Sequence, residues 1–140
     1  MKVTIFKNVY DKTAPHHIPL QQALERIQNG RSSTLVSDIR DGDKTKKQNL
    51  PVVCFSGEFS SRSDDALFEH SGFIILDFDH VDVDQTKRAL ATDDFIHSCW
   101  TSPSGNGIKA LVHITHPERH RDHFRALIKY FDRTHGLELD

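Results

Sequence analysis

Apolar and polar positions alternate over Lys2-Val3-Thr4-Ile5-Phe6, and that period of two predicts a strand over residues 2–7. The period then changes. Pro19 opens a stretch with Leu20, Leu24 and Ile27 on one face, and Gly30 closes it, which predicts a helix. A second short helix is expected over residues 32–40, followed by a polar loop over 41–49. Pro51-Val52-Val53-Cys54-Phe55 reads as another strand, ended by Ser56-Gly57. The most apolar run is Phe73-Ile74-Ile75-Leu76, which continues into Asp77-Phe78-Asp79 and is bounded on its other side by Ser71-Gly72. It predicts a buried strand over residues 73–79.

Downstream the elements follow in a regular order. Val83, Thr86 or Lys87, and Leu90 are spaced for a helix over 83–91, and residues 95–101 are expected as a strand. The loop Ser102 to Gly107 leads into a strand from Ile108 to Ile114. Pro117 starts a long helix to about Thr134, with Phe124, Leu127, Ile128 and Phe131 on its apolar face and Gly136 as its terminator. Leu137-Glu138-Leu139-Asp140 begins one more strand. The series β-α-β-β-α-β is the split βαβ arrangement of ferredoxin-like and RRM-like domains, so the expected fold class is α+β. Its last strand reads as cut short, which predicts a longer parent protein. The expected division is an N-terminal strand/helix extension over 1–50 and a core over 51–140.

Composition narrows the partners. The net charge is −2 with histidine neutral, so no global basic field advertises nucleic acid, and any such contact must use a local patch. Cys54 and Cys99 lie in apolar strand-like segments and read as reduced core thiols. The N-terminus lacks the layout of a signal peptide and no run is long enough to cross a membrane. The expectation is a cytoplasmic protein with no membrane partner.

Candidate chemistry centres on Asp77 and Asp79. Side chains alternate along a strand, so both acids point the same way. Such a pair is either a turn-forming strand end or a cradle for Mg²⁺ or Mn²⁺, which take hard oxygen ligands and share them with substrate phosphates. The loop Thr101-Ser102-Pro103-Ser104-Gly105-Asn106-Gly107 is either a plain Gly-rich hairpin or a small-residue cradle for an anion, with Lys109 as a point charge for phosphate. Asp140 falls on the strand expected beside residues 73–79, and either approaches the two acids or has no role. His116, His120 and His123 share a helical face that reads as solvated rather than as a zinc site. Lys44, Lys46 and Lys47 read as a solvated loop, and Trp100 as packing.

Taken together, Pro51 to Phe59 with Arg62, Phe73 to Asp79, and Ser102 to Lys109 resemble the VirE N-terminal domain, a family of the archaeo-eukaryotic primase–polymerase superfamily. The resemblance covers about residues 45–140. It implies a primase–polymerase core in which Asp77, Asp79 and Asp140 are catalytic metal ligands for Mg²⁺ or Mn²⁺. It also implies that Ser104, Gly105, Gly107, Lys109 and Arg62 meet a nucleoside triphosphate. It further implies a single-stranded template, and a helicase-like or other DNA-processing domain in a mobile-element or phage protein. Lys109 stands where primases of that superfamily usually carry histidine.

The function expected on this basis is primer synthesis by a primase–polymerase-like nucleotidyltransferase domain. The alternative is a degenerate, non-catalytic module that binds nucleotide or nucleic acid for a larger DNA-processing protein. Metal-dependent phosphodiester hydrolysis uses a similar site and is a third reading.

Overall fold

The computed structural model describes residues 1–140 and shows a mixed α+β protein built on small antiparallel sheets. The chain divides into two compact units, Met1–Ser71 and Gly72–Asp140. No helix is long and apolar enough to cross a membrane.

In the first unit the alternating N-terminus forms β1 (Lys2–Phe6), flanked by β2 (His16–Pro19) and β3 (Val52–Cys54) in the order β2-β1-β3. Both pairings are antiparallel. The predicted helices appear as α1 (Leu20–Gln28) and α2 (Ser33–Arg40). Leu20 and Ala23 form the buried face of α1, while Ile27 is exposed. The polar segment expected as a loop contains a short 3₁₀ turn over Lys44–Asn49, in which Lys46 Nζ lies 2.8 Å from Asp38 Oδ2. Two further short strands, β4 (Gly57–Phe59) and β5 (Leu67–His70), pair with each other. Neither these nor β2 carries a readable period, because three or four residues of mixed polarity are too few to show one. The Thr4 hydroxyl donates to the Gly57 carbonyl at 2.8 Å and accepts from the Phe59 N–H at 2.9 Å, tying β1 to β4 through a buried side chain.

In the second unit the run of β-branched and aromatic residues is β6 (Phe73–Phe78), followed by α3 (Val83–Ala91), β7 (Ile96–Thr101), β8 (Ile108–His113) and α4 (His120–His135). A 3₁₀ turn over Pro117–Arg119 precedes α4. The sheet order is β6-β8-β7, all antiparallel. Ile74, Leu76 and Phe78 of β6 and Ile108, Ala110 and Val112 of β8 face a core closed by Leu90 of α3 and by Leu127 and Phe131 of α4. Phe78 and Phe131 meet edge to face with centroids 5.4 Å apart. Asp82 caps α3 by accepting the Gln85 N–H at 3.0 Å, which satisfies one of the helix's unpaired donors. Leu137–Asp140, expected as a strand, has no regular strand assignment, but the Asp140 N–H donates to the Asp77 carbonyl at 3.1 Å. That bond lays the segment along the side of β6 away from β8.

Candidate functional site

Alternation decides what one end of this sheet presents. With Ile74, Leu76 and Phe78 turned into the core, Asp77 must face the other way, and Asp79 continues its row just beyond the strand. On β8 the same rule turns Lys109 outward between the buried Ile108 and Ala110. Register then makes Asp77 and Lys109 direct partners across the ladder. Opposite residues of an antiparallel pair share a face with Cβ atoms about 5 Å apart. Lys109 Nζ donates to Asp77 Oδ1 at 2.6 Å, with 35% and 42% of the two side chains exposed. Trp100 on β7 is the next residue in that row, opposite Lys109.

The third acid arrives from the other side. Gly136 ends α4 in the left-handed region (φ 64°), and the Leu137 N–H returns to the Phe131 carbonyl at 3.1 Å. This turn sends the chain back along β6 to Asp140. A hydrogen bond with Asp79 first, then burial and the negative charges of Asp79 and Asp77, hold the Asp140 carboxyl above its ordinary value, while His80 acts the other way. At this end of the sheet a lysine is paired with Asp77, and Asp140 lies close enough to Asp79 and Asp77 for their charges to raise its carboxyl.

The small-residue loop lies against this end. The Ser102 N–H donates to the Gly107 carbonyl, the Gly105 N–H to the Ser102 carbonyl, and the Val81 N–H to the Asn106 carbonyl. The Ser104 hydroxyl donates to Asn106 Oδ1 at 3.0 Å and lies 3.3 Å from the Ser102 hydroxyl. A Cβ at Gly107 would stand 2.8 Å from the Phe78 carbonyl oxygen and 3.0 Å from Asp79 Oδ1. Position 107 is thus glycine chiefly because the loop passes too close to the Phe78 carbonyl for a side chain, with the Asp79 carboxylate next to it.

The structure brings together Asp77, Asp79, Asp140, Lys109 and Gly107, with Ser104 and Gly105 in the adjoining loop. Arg62 belongs to the first unit, where its guanidinium donates to the Val9 carbonyl at 2.7 Å and its N–H to the Lys12 carbonyl. Its positive charge opposes the effect of burial, which raises the Cys54 thiol. Cys54 and Cys99 are free thiols. His80, which follows Asp79, is the one non-glycine residue with positive φ (55°). Sequence spacing carries no sign of that conformation.

Whether these residues suit a divalent ion is a matter of donors and of shape. The donors are hard carboxylate oxygens at a partly exposed strand end, the type Mg²⁺ and Mn²⁺ take. In shape, no three His, Cys, Asp or Glu side chains converge on one metal point, at the acids or anywhere else, and that includes His116, His120 and His123. Among those histidines, His116 and His123 stack with centroids 6.3 Å apart. Burial, aided by His123, lowers the pKa of His120. The donor chemistry of the acids fits a divalent ion, and Asp77 must be released from Lys109 to take part.

The sequence profile described as BT4734-like, N-terminal domain, matches residues 45–138, about two thirds of the chain. This corrects the assignment to the VirE N-terminal domain, which is a different family. No primase–polymerase family matches, so the primase and DNA-replication roles that rested on that assignment fall with it. No curated protein and no solved structure matches the chain.

Proposed function

We propose, for a chain that belongs to the BT4734-like N-terminal domain family, that its second unit binds a divalent cation and a nucleoside triphosphate for nucleotidyl transfer. One observation carries this reading. Three carboxylates and one lysine, drawn from β6, β8 and the segment after α4, lie at one end of a sheet beside a loop whose Gly107 packs against the Phe78 carbonyl and Asp79. The strand order β6-β8-β7, with residues 137–140 on the free side of β6, supports the ferredoxin-like reading of this unit.

A bound Mg²⁺ or Mn²⁺ would supply charge neutralisation at the transferring phosphoryl group and a more acidic attacking hydroxyl. The chain's own parts in this reading are definite. Asp77, Asp79 and Asp140 hold the cation. Lys109 pairs with a phosphate oxygen as a point charge. Ser104 and Gly105 offer a hydroxyl and close backbone approach to the triphosphate, and Gly107 keeps the loop against Asp79. A cytoplasmic setting, where triphosphates are held, goes with this reading.

Calorimetry of a triphosphate with and without Mn²⁺ tests it. Binding is expected to require Mn²⁺ and to fall at least tenfold in Asp79→Asn with the fold retained. Equal binding by folded Asp79→Asn would remove the acids from the site. A second reading has a specific observation behind it: Lys109 is already paired with Asp77. It holds that the unit binds nucleotide or single-stranded nucleic acid without turnover and serves another domain. Mn²⁺-dependent binding without nucleotide incorporation on a primed template would favour it.

A further inference from the structure

We infer that Lys109 is an exchange cation. It neutralises Asp77 while the site lacks metal, gives Asp77 up when a divalent ion arrives, and carries its charge to the phosphates, so that metal and triphosphate bind in a mutually dependent way. The inference rests on the metal–nucleotide reading above and adds a rule for how that site is filled.

Lys109 Nζ lies 2.6 Å from Asp77 Oδ1. An ammonium at that distance occupies the space in front of the carboxylate oxygen that a Mg²⁺ or Mn²⁺ ligand must present. The two cations are therefore alternatives at Asp77. Both side chains are more than a third exposed, so the pair is worth little in itself and is not a permanent tie. Lysine has a flexible four-carbon stem and can re-aim its charge without moving β8. The register leaves it nowhere else to begin: Asp77 lies across the ladder on one side and Trp100 on the other. Trp100 is neutral, so across the ladder the displaced ammonium finds no second anion, and Asp79, further along the face of Asp77, is itself assigned to the cation. An incoming phosphate supplies that anion.

The pairing of Lys109 with Asp77 sets the terms on which each ligand arrives. Metal alone must then work against Lys109, and triphosphate alone meets a lysine already paired. Each ligand removes the other's competitor, which is positive coupling and is reciprocal by linkage.

Two measurements on the full chain test this. In the first, Mn²⁺ without any phosphate is titrated into the wild type and Lys109→Met, with folding checked by circular dichroism. Lys109→Met is expected to bind Mn²⁺ at least tenfold more tightly. Equal affinity, or weaker binding by Lys109→Met, overturns the exchange while leaving the metal site standing. Binding by neither protein overturns the metal–nucleotide reading and the exchange with it. In the second, ATP is titrated in EDTA into Asp77→Asn and Asp79→Asn, which lose the same charge. Asp77→Asn alone frees Lys109, so it is expected to bind metal-free ATP severalfold more tightly than Asp79→Asn. Equal binding by the two variants overturns the exchange.

Discussion

Asp93 shows how much one side chain can decide without touching the candidate site. It stands in the turn between α3 and β7, and its carboxylate is 2% exposed. The Tyr130 hydroxyl donates to Asp93 Oδ2 at 2.6 Å, His135 Nε2 lies 2.7 Å from the same oxygen, and the Phe95 N–H donates to Oδ1 at 2.9 Å. Burial alone would raise this carboxyl. The bonds from His135, Tyr130 and Phe95 outweigh it and hold the pKa below the ordinary 3.8. The same contact with Asp93, then burial, raises the Tyr130 hydroxyl. Asp93→Asn is expected to destabilise the second unit by about 1.5–3 kcal/mol, the range for hydrogen bonds to a charged group, as read by urea unfolding. A depressed folded pKa also fixes the sign with acid. The stability Asp93 contributes is fully present above its unfolded value and is lost as pH falls below 3.8 through the folded value. Unfolding curves taken on either side of that pH should converge for wild type and Asp93→Asn on the acid side. Nothing in the sequence marks this residue, because its partners lie 37 and 42 positions away.

Among the elements, the end of α4 has the largest consequence. Phe131 is fully buried against Phe78 and fixes the helix on the sheet. Five residues later Gly136 turns the chain in a left-handed conformation that returns it to β6. A Cβ at Gly136 would meet nothing within 4 Å, so the requirement there is conformational rather than steric. Gly136→Ala should cost about 1–2 kcal/mol, the penalty of a left-handed L-residue. Asparagine, which tolerates that region, should recover part of it. The variant should also loosen the Asp140 N–H bond to Asp77, which amide hydrogen exchange at Asp140 would report. If exchange there is unchanged, the turn does not aim the third acid. Helices and long strands were legible because their apolar periods are long: α3 spans the expected 83–91, and β6 and β8 fall within one residue of expectation. β2, β4 and β5 were not, because each is held by its partner strand rather than by its own pattern.

For the whole molecule, the acids dominate the expected response to ligands. A ligand that binds only the folded state stabilises it, by about 2.7 kcal/mol at a hundred times its dissociation constant. Mn²⁺ is therefore expected to raise the thermal midpoint of the wild type and leave that of Asp77→Asn in place. Differential scanning calorimetry decides it, and an equal rise in the two proteins would put the metal elsewhere. Trp100 is the only tryptophan and is opposite Lys109 in the ladder, so its fluorescence offers a built-in report on that row.

The sequence by itself determined the periods, and through them the strand that carries Asp77, the helices that cover one face, and the side on which the acids must emerge. It also marked Gly136 as the place where the long helix ends. These are local properties, set by alternation along a strand and by steric limits on single residues. What the tertiary structure decided is partnership. Register placed Lys109 on Asp77, a helix terminus placed Asp140 beside Asp79, and a turn far along the chain placed Asp93 under Tyr130 and His135. Charge pairing acts over a few ångströms of space and is indifferent to distance along the chain. No pattern of residues shows whether a lysine near an acid faces a ligand or already holds that acid.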